Sequence, residues 1–316
     1  MFLAPSGPPV RTASTVLQMP SAPGPEIGAP ASPRFWPELG QLDSAYDISH
    51  ATLWTFMDFG ERRPSYNPAL LEDFHRWQAN ISGLKASAGD NLKYIVLGSR
   101  HPKVFCLGGD LDYFSAAIAA GDREALLQYG RSCIRILHRN WESLGSGLIT
   151  IGLAQGDALG GGFESLLSFD VLCAERGAKF GFPEQLFGLF PGMGALTFLG
   201  RKLGFAKAEQ LIRSGKCVSA EEMYEMGVVN ILAEPGEGVS AVAKYIAKTG
   251  RRHAAQLAFH AAAKRANPIP FEELDDIVSL WADACITLES HDLAIMRRLV
   301  AAQSKLPANG NEAAAA

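Results

Sequence analysis

The stretch Ala154-Gln-Gly-Asp-Ala-Leu-Gly-Gly-Gly-Phe-Glu164 decides the fold of this chain. The stretch begins at the end of an apolar run, residues 148–154, and this run predicts a buried strand. Three consecutive glycines are costly in chain entropy, so they indicate a turn where backbone must approach closely. If a helix begins there, its free N–H groups and its dipole attract negative charge. The stretch therefore predicts an anion-stabilising turn with Glu164 beside it for proton transfer. A plain structural turn, with Glu164 only complementing the helix dipole, is the alternative.

Two other segments carry similar residues. Glu184 ends the sequence Gly-Phe-Pro-Glu, 20 residues after Glu164, and Gly108-Gly109 lies in a loop after a predicted strand at residues 94–97. Each segment alone is weak, since a loop carboxylate and a glycine pair are common. Two nearby carboxylates in a partly apolar site would raise each other's pKa, which keeps one available as an acid near neutral pH.

Composition indicates an ordinary globular protein. The chain has 316 residues, 47% of them hydrophobic and 20% charged, and a net charge of −4. This charge argues against nucleic-acid binding, which usually requires a basic face. No apolar run approaches the roughly 20 residues of a membrane helix, and the N-terminus lacks a signal-peptide pattern. Five dispersed cysteines without a C-x-x-C pair favour reduced thiols, so we expect a cytoplasmic protein.

Several catalytic motifs are absent from the sequence. It contains no phosphate-binding P-loop, no G-x-S-x-G nucleophile elbow, no H-E-x-x-H and no complete dinucleotide fingerprint. The seven histidines show no metal-ligand spacing. We therefore expect neither a metal nor a cofactor.

Strand and helix patterns alternate along the chain, which predicts a mainly parallel, layered α/β core. Asn67-Pro68 predicts a helix start, and Ser219 with Glu222 predicts a capping box. Residues 196–215, which include Gly204, and residues 238–264 are expected to be helical. The predicted organisation is a disordered Pro-rich tail at 1–38, an α/β core at 39–235, a helical region at 236–306 and a flexible tail at 307–316.

Taken together, these motifs resemble the crotonase (enoyl-CoA hydratase/isomerase) superfamily. The matching pieces follow in the family's order: residues 104–111, 156–164, 180–184 and 190–194, then Gly215, Ala220 and residues 227–229. The resemblance implies the crotonase (ClpP-like) fold, a superhelix of ββα units with a helical C-terminal extension. It also implies a homotrimer or hexamer and no cofactor.

The resemblance gives the predicted site residues their roles. The backbone N–H groups of Gly109 and Gly161 would form an oxyanion hole for a thioester enolate, and Glu164 and Glu184 would transfer protons. Members that hydrate or dehydrate carry both glutamates, so this pair favours addition or elimination of water.

Residues near these motifs are candidates for the acyl pocket. The predicted substrate-binding residues are Leu107, Gly108, Phe163, Met193 and Trp281. Each could instead be a core residue, and for Trp281 the core is favoured by base rate. Cys106 has no histidine partner in the sequence pattern and is interpreted as a small buried residue.

A closer resemblance is to the bacterial diffusible signal factor synthases. It lies in the Pro-rich tail, residues 50–58, the following Arg62, Pro64, Tyr66 and Asn67, and the helix that bears Trp281. It implies dehydration of a 3-hydroxyacyl thioester on acyl carrier protein to the cis-2-enoyl form, then hydrolysis that releases a fatty acid signal. A sensor histidine kinase is a further implied partner. The alternatives are an enoyl-CoA hydratase of fatty-acid breakdown and a non-catalytic acyl-binding protein.

Overall fold

The computed structural model describes residues 39–88 and 92–304. Strands and helices alternate through this part of the chain, and the strands form two mainly parallel sheets, as predicted. The tails predicted at 1–38 and 307–316 lie outside the described residues, and the predicted domain boundaries stay predictions.

The larger sheet has six strands in the order β1-β2-β3-β5-β7-β10. Only β1 and β2 pair in antiparallel fashion, and the other neighbours are parallel. Its strands are β1 (Leu42–Asp47), β2 (Thr52–Met57), β3 (Tyr94–Ser99), β5 (Ile149–Ala154), β7 (Val171–Glu175) and β10 (Ile231–Ala233). The central strands β3 and β5 are buried at every position, which explains why they appear in the sequence as continuous apolar runs.

The smaller sheet contains the short strands next to the predicted site. Its order is β4-β6-β8-β9, with the first three parallel and the last pair antiparallel. These strands are β4 (Val104–Cys106), β6 (Asp157–Leu159), β8 (Lys179–Gly181) and β9 (Val218–Ser219). The three parallel strands therefore deliver the Gly108 loop, the glycine turn at 160–162 and the Glu184 turn to the same edge.

Eleven helices surround the sheets in the described residues. They are α1 (Pro68–Ala88), α2 (Leu111–Ala119), α3 (Arg123–Trp141), α4 (Gly161–Leu167), α5 (Ala195–Leu203), α6 (Phe205–Ser214), α7 (Ala220–Glu225), α8 (Gly238–Gly250), α9 (His253–Ala266), α10 (Phe271–Ile286) and α11 (Ser290–Gln303). Helix α10 packs along α3, and α11 packs on α2 and on a 3-10 turn at Pro183–Phe187. The C-terminal helices thus cover the site from one side.

The structure adds three details to the prediction. Residues 196–215 form two helices, because Gly204 has a φ of +81° and ends α5. Residues 238–264 also form two helices, separated at Arg251 and Arg252. The loop at 98–111 contains β4, which is too short to show an alternation pattern. The capping box of Ser219 and Glu222 is confirmed.

In the two described ranges, no helix combines the length and the apolar character needed to cross a membrane.

Candidate active site

A cavity of about 400 Å³ lies where the three parallel strands of the smaller sheet end. This volume falls within the range of small-molecule sites, about 300–1,000 Å³. Most of its walls are apolar, and its side chains come from the Gly109 loop, α2, α3, α4, the 3-10 turn, α10 and α11. The residues that line it are Lys103, Val104, Leu107, Gly109, Leu111, Phe114, Tyr129, Gly130, Asp157, Leu159, Gly161, Glu164, Pro183, Glu184, Phe187, Leu189, Gly192, Met193, Trp281, Leu299, Ala302 and Gln303.

Glu164 lies in the first turn of α4 and is only 1% exposed. Its Oε1 accepts hydrogen bonds from the backbone N–H groups of Met193, at 2.8 Å, and Ala195, at 2.9 Å. Burial raises the pKa of this carboxyl to about 7, although the backbone donors oppose the rise. Glu164 is therefore held in one orientation and can titrate near neutral pH.

Glu184 lies in the 3-10 turn, and its side chain reaches the glycine turn that begins α4. A Cβ added at Gly160, whose φ is +51°, would lie 2.3 Å from Glu184 Oε1. Glu184 Oε2 is shielded from solvent and has no hydrogen-bond partner among the described residues. Burial, and then the charge of Glu164, raise the pKa of Glu184 to about 8.

The two glycine turns meet through bare backbone. Gly108 has a φ of +94°, and a Cβ added there would lie 2.9 Å from Gly161 N. The amides of Gly109 and Gly161 donate no hydrogen bond to a protein acceptor within the described residues, and Gly161 N is a free donor of the first helical turn. Both glycines line the cavity. Two unused donors therefore stand beside the two carboxyl groups.

The structure brings most of the predicted residues together. Glu164, Glu184, Gly109, Gly161, Leu107, Met193 and Trp281 all line the cavity. Gly108 lies behind its wall, where its missing side chain lets the two turns touch.

Phe163 does not occupy the place that the sequence suggested. It is fully buried, and its ring packs 5.1 Å from the rings of Phe180 and Phe182. Adjacent residues of a helix point to different faces, so Phe163 faces the core while Glu164 faces the cavity. Cys106 is also fully buried, and burial raises the pKa of its thiol to about 12, which fits the interpretation as a core residue.

The pair of glutamates can act as an acid and a base together. With pKa values of about 7 and 8, the pair holds about one proton at a pH midway between these two values. The backbone donors favour the ionised form of Glu164, so the proton resides mainly on Glu184.

A family model described as enoyl-CoA hydratase/isomerase matches residues 67–271. The chain belongs to this family. The match covers all the residues that line the cavity except Trp281 and the residues of α11.

Curated relatives from bacteria and plants share part of this sequence. The short-chain-enoyl-CoA hydratase of Clostridioides difficile is 40% identical over 106 residues, which cover 33% of this chain and 68% of that protein. The crotonyl-CoA hydratase of Syntrophomonas wolfei is 28% identical over 193 residues, 61% of this chain and 71% of that protein. The peroxisomal fatty acid beta-oxidation multifunctional protein AIM1 of Arabidopsis thaliana is 30% identical over 170 residues. That match covers 52% of this chain but only 23% of the plant protein.

Solved structures share the fold. Pseudomonas aeruginosa DspI superposes with a TM-score of 0.63 at 22% identity, covering 74% of this chain and 84% of that chain. The enoyl-CoA hydratase of Bacillus anthracis gives a TM-score of 0.63 at 20% identity, covering 86% and 100%. At these identities the likeness confirms the predicted crotonase fold.

Several lining residues were missed by sequence reasoning. Phe114 on α2 fills the space beside Gly109, where an added Cβ would lie 2.4 Å from its ring. Tyr129 on α3 and Leu299 on α11 also reach the cavity. They lie on helical faces whose apolar pattern indicates only burial, so the sequence offered no signal that separates a cavity wall from the core.

Proposed function

We propose that this protein adds or removes water across the α,β bond of an acyl thioester. One observation carries the proposal: two buried carboxyl groups with raised pKa values share an apolar cavity with two unused backbone N–H groups. Family membership supports enoyl-CoA hydratase-like chemistry. The match spans only 23% of the plant relative, so it gives no support for a role of this chain in fatty-acid beta-oxidation.

The geometry supports a mechanism through an enolate. The thioester carbonyl oxygen would accept hydrogen bonds from Gly109 and Gly161, whose N–H groups stabilise the negative charge that develops there. For addition of water, ionised Glu164 would take a proton from water while protonated Glu184 delivers one to the α-carbon. For elimination the two exchange roles, so that Glu184 takes the α-proton and Glu164 protonates the leaving hydroxyl.

The more specific proposal is a diffusible signal factor synthase. Its substrate would be a 3-hydroxyacyl group on acyl carrier protein, and its first product the cis-2-enoyl thioester. A water molecule would then attack the thioester carbonyl carbon, the C–S bond would break, and the carrier thiol would leave with a proton as the free acid forms.

The support for this proposal lies in the segment that resembles those synthases. Pro64 O accepts a hydrogen bond from Leu107 N at 2.7 Å, and Tyr66 N donates to Gly108 O at 2.8 Å. The segment is thus fastened to the loop that carries Gly109. The homotrimer or hexamer, the sensor histidine kinase and the cytoplasmic location stay predictions.

An enoyl-CoA hydratase that releases no acid is the second candidate. It is favoured by the curated relatives, two of which are described as enoyl-CoA or crotonyl-CoA hydratases. Its carrier would be CoA instead of acyl carrier protein.

Product analysis separates the candidates. The purified protein is incubated with 3-hydroxyacyl thioesters of several chain lengths, on acyl carrier protein and on CoA, and the products are measured by mass spectrometry and thiol release. A free cis-2-enoic acid is the result expected of a synthase. Accumulation of trans-enoyl-CoA without free acid would contradict the synthase and support the hydratase.

Matched variants test the roles of the glutamates. Glu164→Gln and Glu184→Gln should each lose activity by at least about 100-fold. Glu175→Gln is the control, because Glu175 is also buried and accepts two backbone hydrogen bonds, from Gly236 N and Gly238 N, but lies outside the cavity lining. Full activity in either catalytic variant would refute the mechanism.

A further inference from the structure

Two buried tyrosines connect the two glycine turns of the site. Tyr66, at the start of α1, and Tyr129, on α3, are 3% and 5% exposed. Tyr129 lines the cavity, whereas Tyr66 lies behind its wall. The proposed mechanism uses neither phenol.

On one side, the tyrosines hold the loop that carries Gly109. Tyr66 N donates to Gly108 O at 2.8 Å, and Tyr66 pairs with Gly109 as an isolated parallel bridge. The hydroxyl of Tyr129 donates to Tyr66 O and accepts from Asp110 N at 3.3 Å. The residues before and after Gly109 are therefore both tied to this pair, while the Gly109 N–H itself stays unused.

On the other side, Tyr66 holds the helix that carries Gly161. Its hydroxyl lies 2.5 Å from Ser165 Oγ, and Ser165 Oγ donates to Gly162 O at 3.0 Å. Since a serine hydroxyl has one proton to donate, that proton goes to Gly162 O and Tyr66 donates to Ser165. Two sets of hydrogen bonds, joined through the body of Tyr66, thus connect Asp110 N to the first turn of α4.

The packing around these hydrogen bonds leaves them little freedom. The Tyr129 ring lies 5.0 Å from Phe114 and 5.3 Å from Tyr113 between ring centroids. Burial raises the pKa of both phenols well above the usual value, so both remain protonated donors at physiological pH.

From these contacts we infer that Tyr66, Tyr129 and Ser165 form a clamp that sets the distance between the Gly109 and Gly161 N–H groups. The three are positioning residues, because they act through the backbone of the two turns. This inference rests on the proposed function, in which both N–H groups bind one carbonyl oxygen. A change in their separation would weaken stabilisation of the enolate more than binding of the uncharged thioester.

The clean test is Tyr66→Phe, because Tyr66 does not line the cavity. This variant keeps the ring and the backbone bonds but loses the link to Ser165. We expect kcat to fall about 10- to 100-fold with KM unchanged, since small misplacements of donor groups are costly in the transition state. Tyr113→Phe is the matched control. Within the described residues, the Tyr113 hydroxyl donates only to Ala125 O, at 3.4 Å, so the kcat of this variant should equal that of the wild type.

A double-mutant cycle tests the link itself. Ser165→Ala should lower kcat, and the double variant Tyr66→Phe/Ser165→Ala should be no worse than the poorer of the two single variants, because both changes break the bond between Tyr66 and Ser165. Losses in kcat that multiply in the double variant would overturn the clamp. So would a Tyr66→Phe variant with wild-type kcat, or one whose change lies in KM.

Amide hydrogen exchange gives a readout that does not depend on turnover. In Tyr66→Phe, the peptides that span residues 107–111 and 161–165 should exchange faster than in the wild type, and the rest of the chain should not. Unchanged exchange in both peptides would overturn the inference whatever the substrate. By contrast, activity that survives in Glu164→Gln and Glu184→Gln would refute the proposed function alone.

Discussion

Replacing Glu184 by glutamine should make the protein more stable at alkaline pH while removing its activity. The carboxyl is buried, its Oε2 has no partner among the described residues, and its pKa is raised from 4.5 to about 8. A raised pKa means that the folded state binds this proton more tightly than the unfolded state. The free energy of unfolding must therefore fall as the pH rises from about 4.5 to about 8.

The size of this loss follows from the pKa. A rise from 4.5 to about 8 corresponds to about 5 kcal/mol in the free energy of unfolding. The carboxyl oxygen Oε2 is shielded, but the residue as a whole is partly exposed, so solvent screening lowers the expected value to about 3 kcal/mol. Glutamine stays neutral at every pH, so Glu184→Gln should not show this loss.

Urea unfolding, followed by circular dichroism at several pH values between about 5 and 9, measures the effect. The advantage of Glu184→Gln over the wild type should grow by about 3 kcal/mol across this range. The control is Glu225→Gln, at an exposed position at the end of α7, which should follow the wild type. If the free energy of unfolding changes with pH in the same way for Glu184→Gln and the wild type, ionisation of Glu184 does not destabilise the fold, and the argument is refuted.

Three further predictions follow from the site. For addition of water, the pH–rate profile should be bell-shaped with its maximum between about 7 and 8, falling on the acid side as Glu164 is protonated and on the alkaline side as Glu184 ionises. Steady-state kinetics in the hydration direction, with Glu175→Gln as control, will show this, and a flat profile from about pH 6 to 9 would contradict it. Gly162→Ala should destabilise the fold by about 3 kcal/mol or more in thermal or urea unfolding, because the added Cβ would lie 2.1 Å from Cys106 O, and a stability like the wild type would contradict that contact. Leu299→Trp should narrow the cavity and shift the preference in kcat/KM towards shorter acyl chains, and an unchanged chain-length profile would mean that α11 does not bound the acyl group.

The sequence predicted the residues of the site better than their surroundings. A glycine pair or a loop carboxylate is common by itself, but the combination of these motifs in the order of the crotonase family made Gly161, Glu164 and Glu184 recognisable in the sequence. Their convergence follows from the parallel strands β4, β6 and β8, whose ends meet at one edge.

The rest depends on tertiary contacts that no local pattern reveals. The roles of Tyr66 and Tyr129 arise from hydrogen bonds between residues 63 positions apart, and each tyrosine by itself resembles an ordinary core residue. Phe163 shows the opposite error. It was predicted to bind substrate because it lies next to Glu164 in the sequence, but only Glu164 faces the cavity. Gly204 was visible in the sequence, but its effect was not, because a glycine within an apolar helical pattern is often tolerated.

The close contact between the Gly108 turn and the Gly160–Gly162 turn limits which residues of the site can be substituted. A side chain at Gly162 would collide with the backbone of Cys106, one at Gly160 would also be strained by the φ of +51°, and one at Gly160 or Gly161 would displace Glu184 or Met193. The far walls on α10 and α11 are formed by side chains that can be exchanged for others. Redesign for a new acyl group should therefore begin at these two helices, where the fit can be altered while the reacting centre is left as it is.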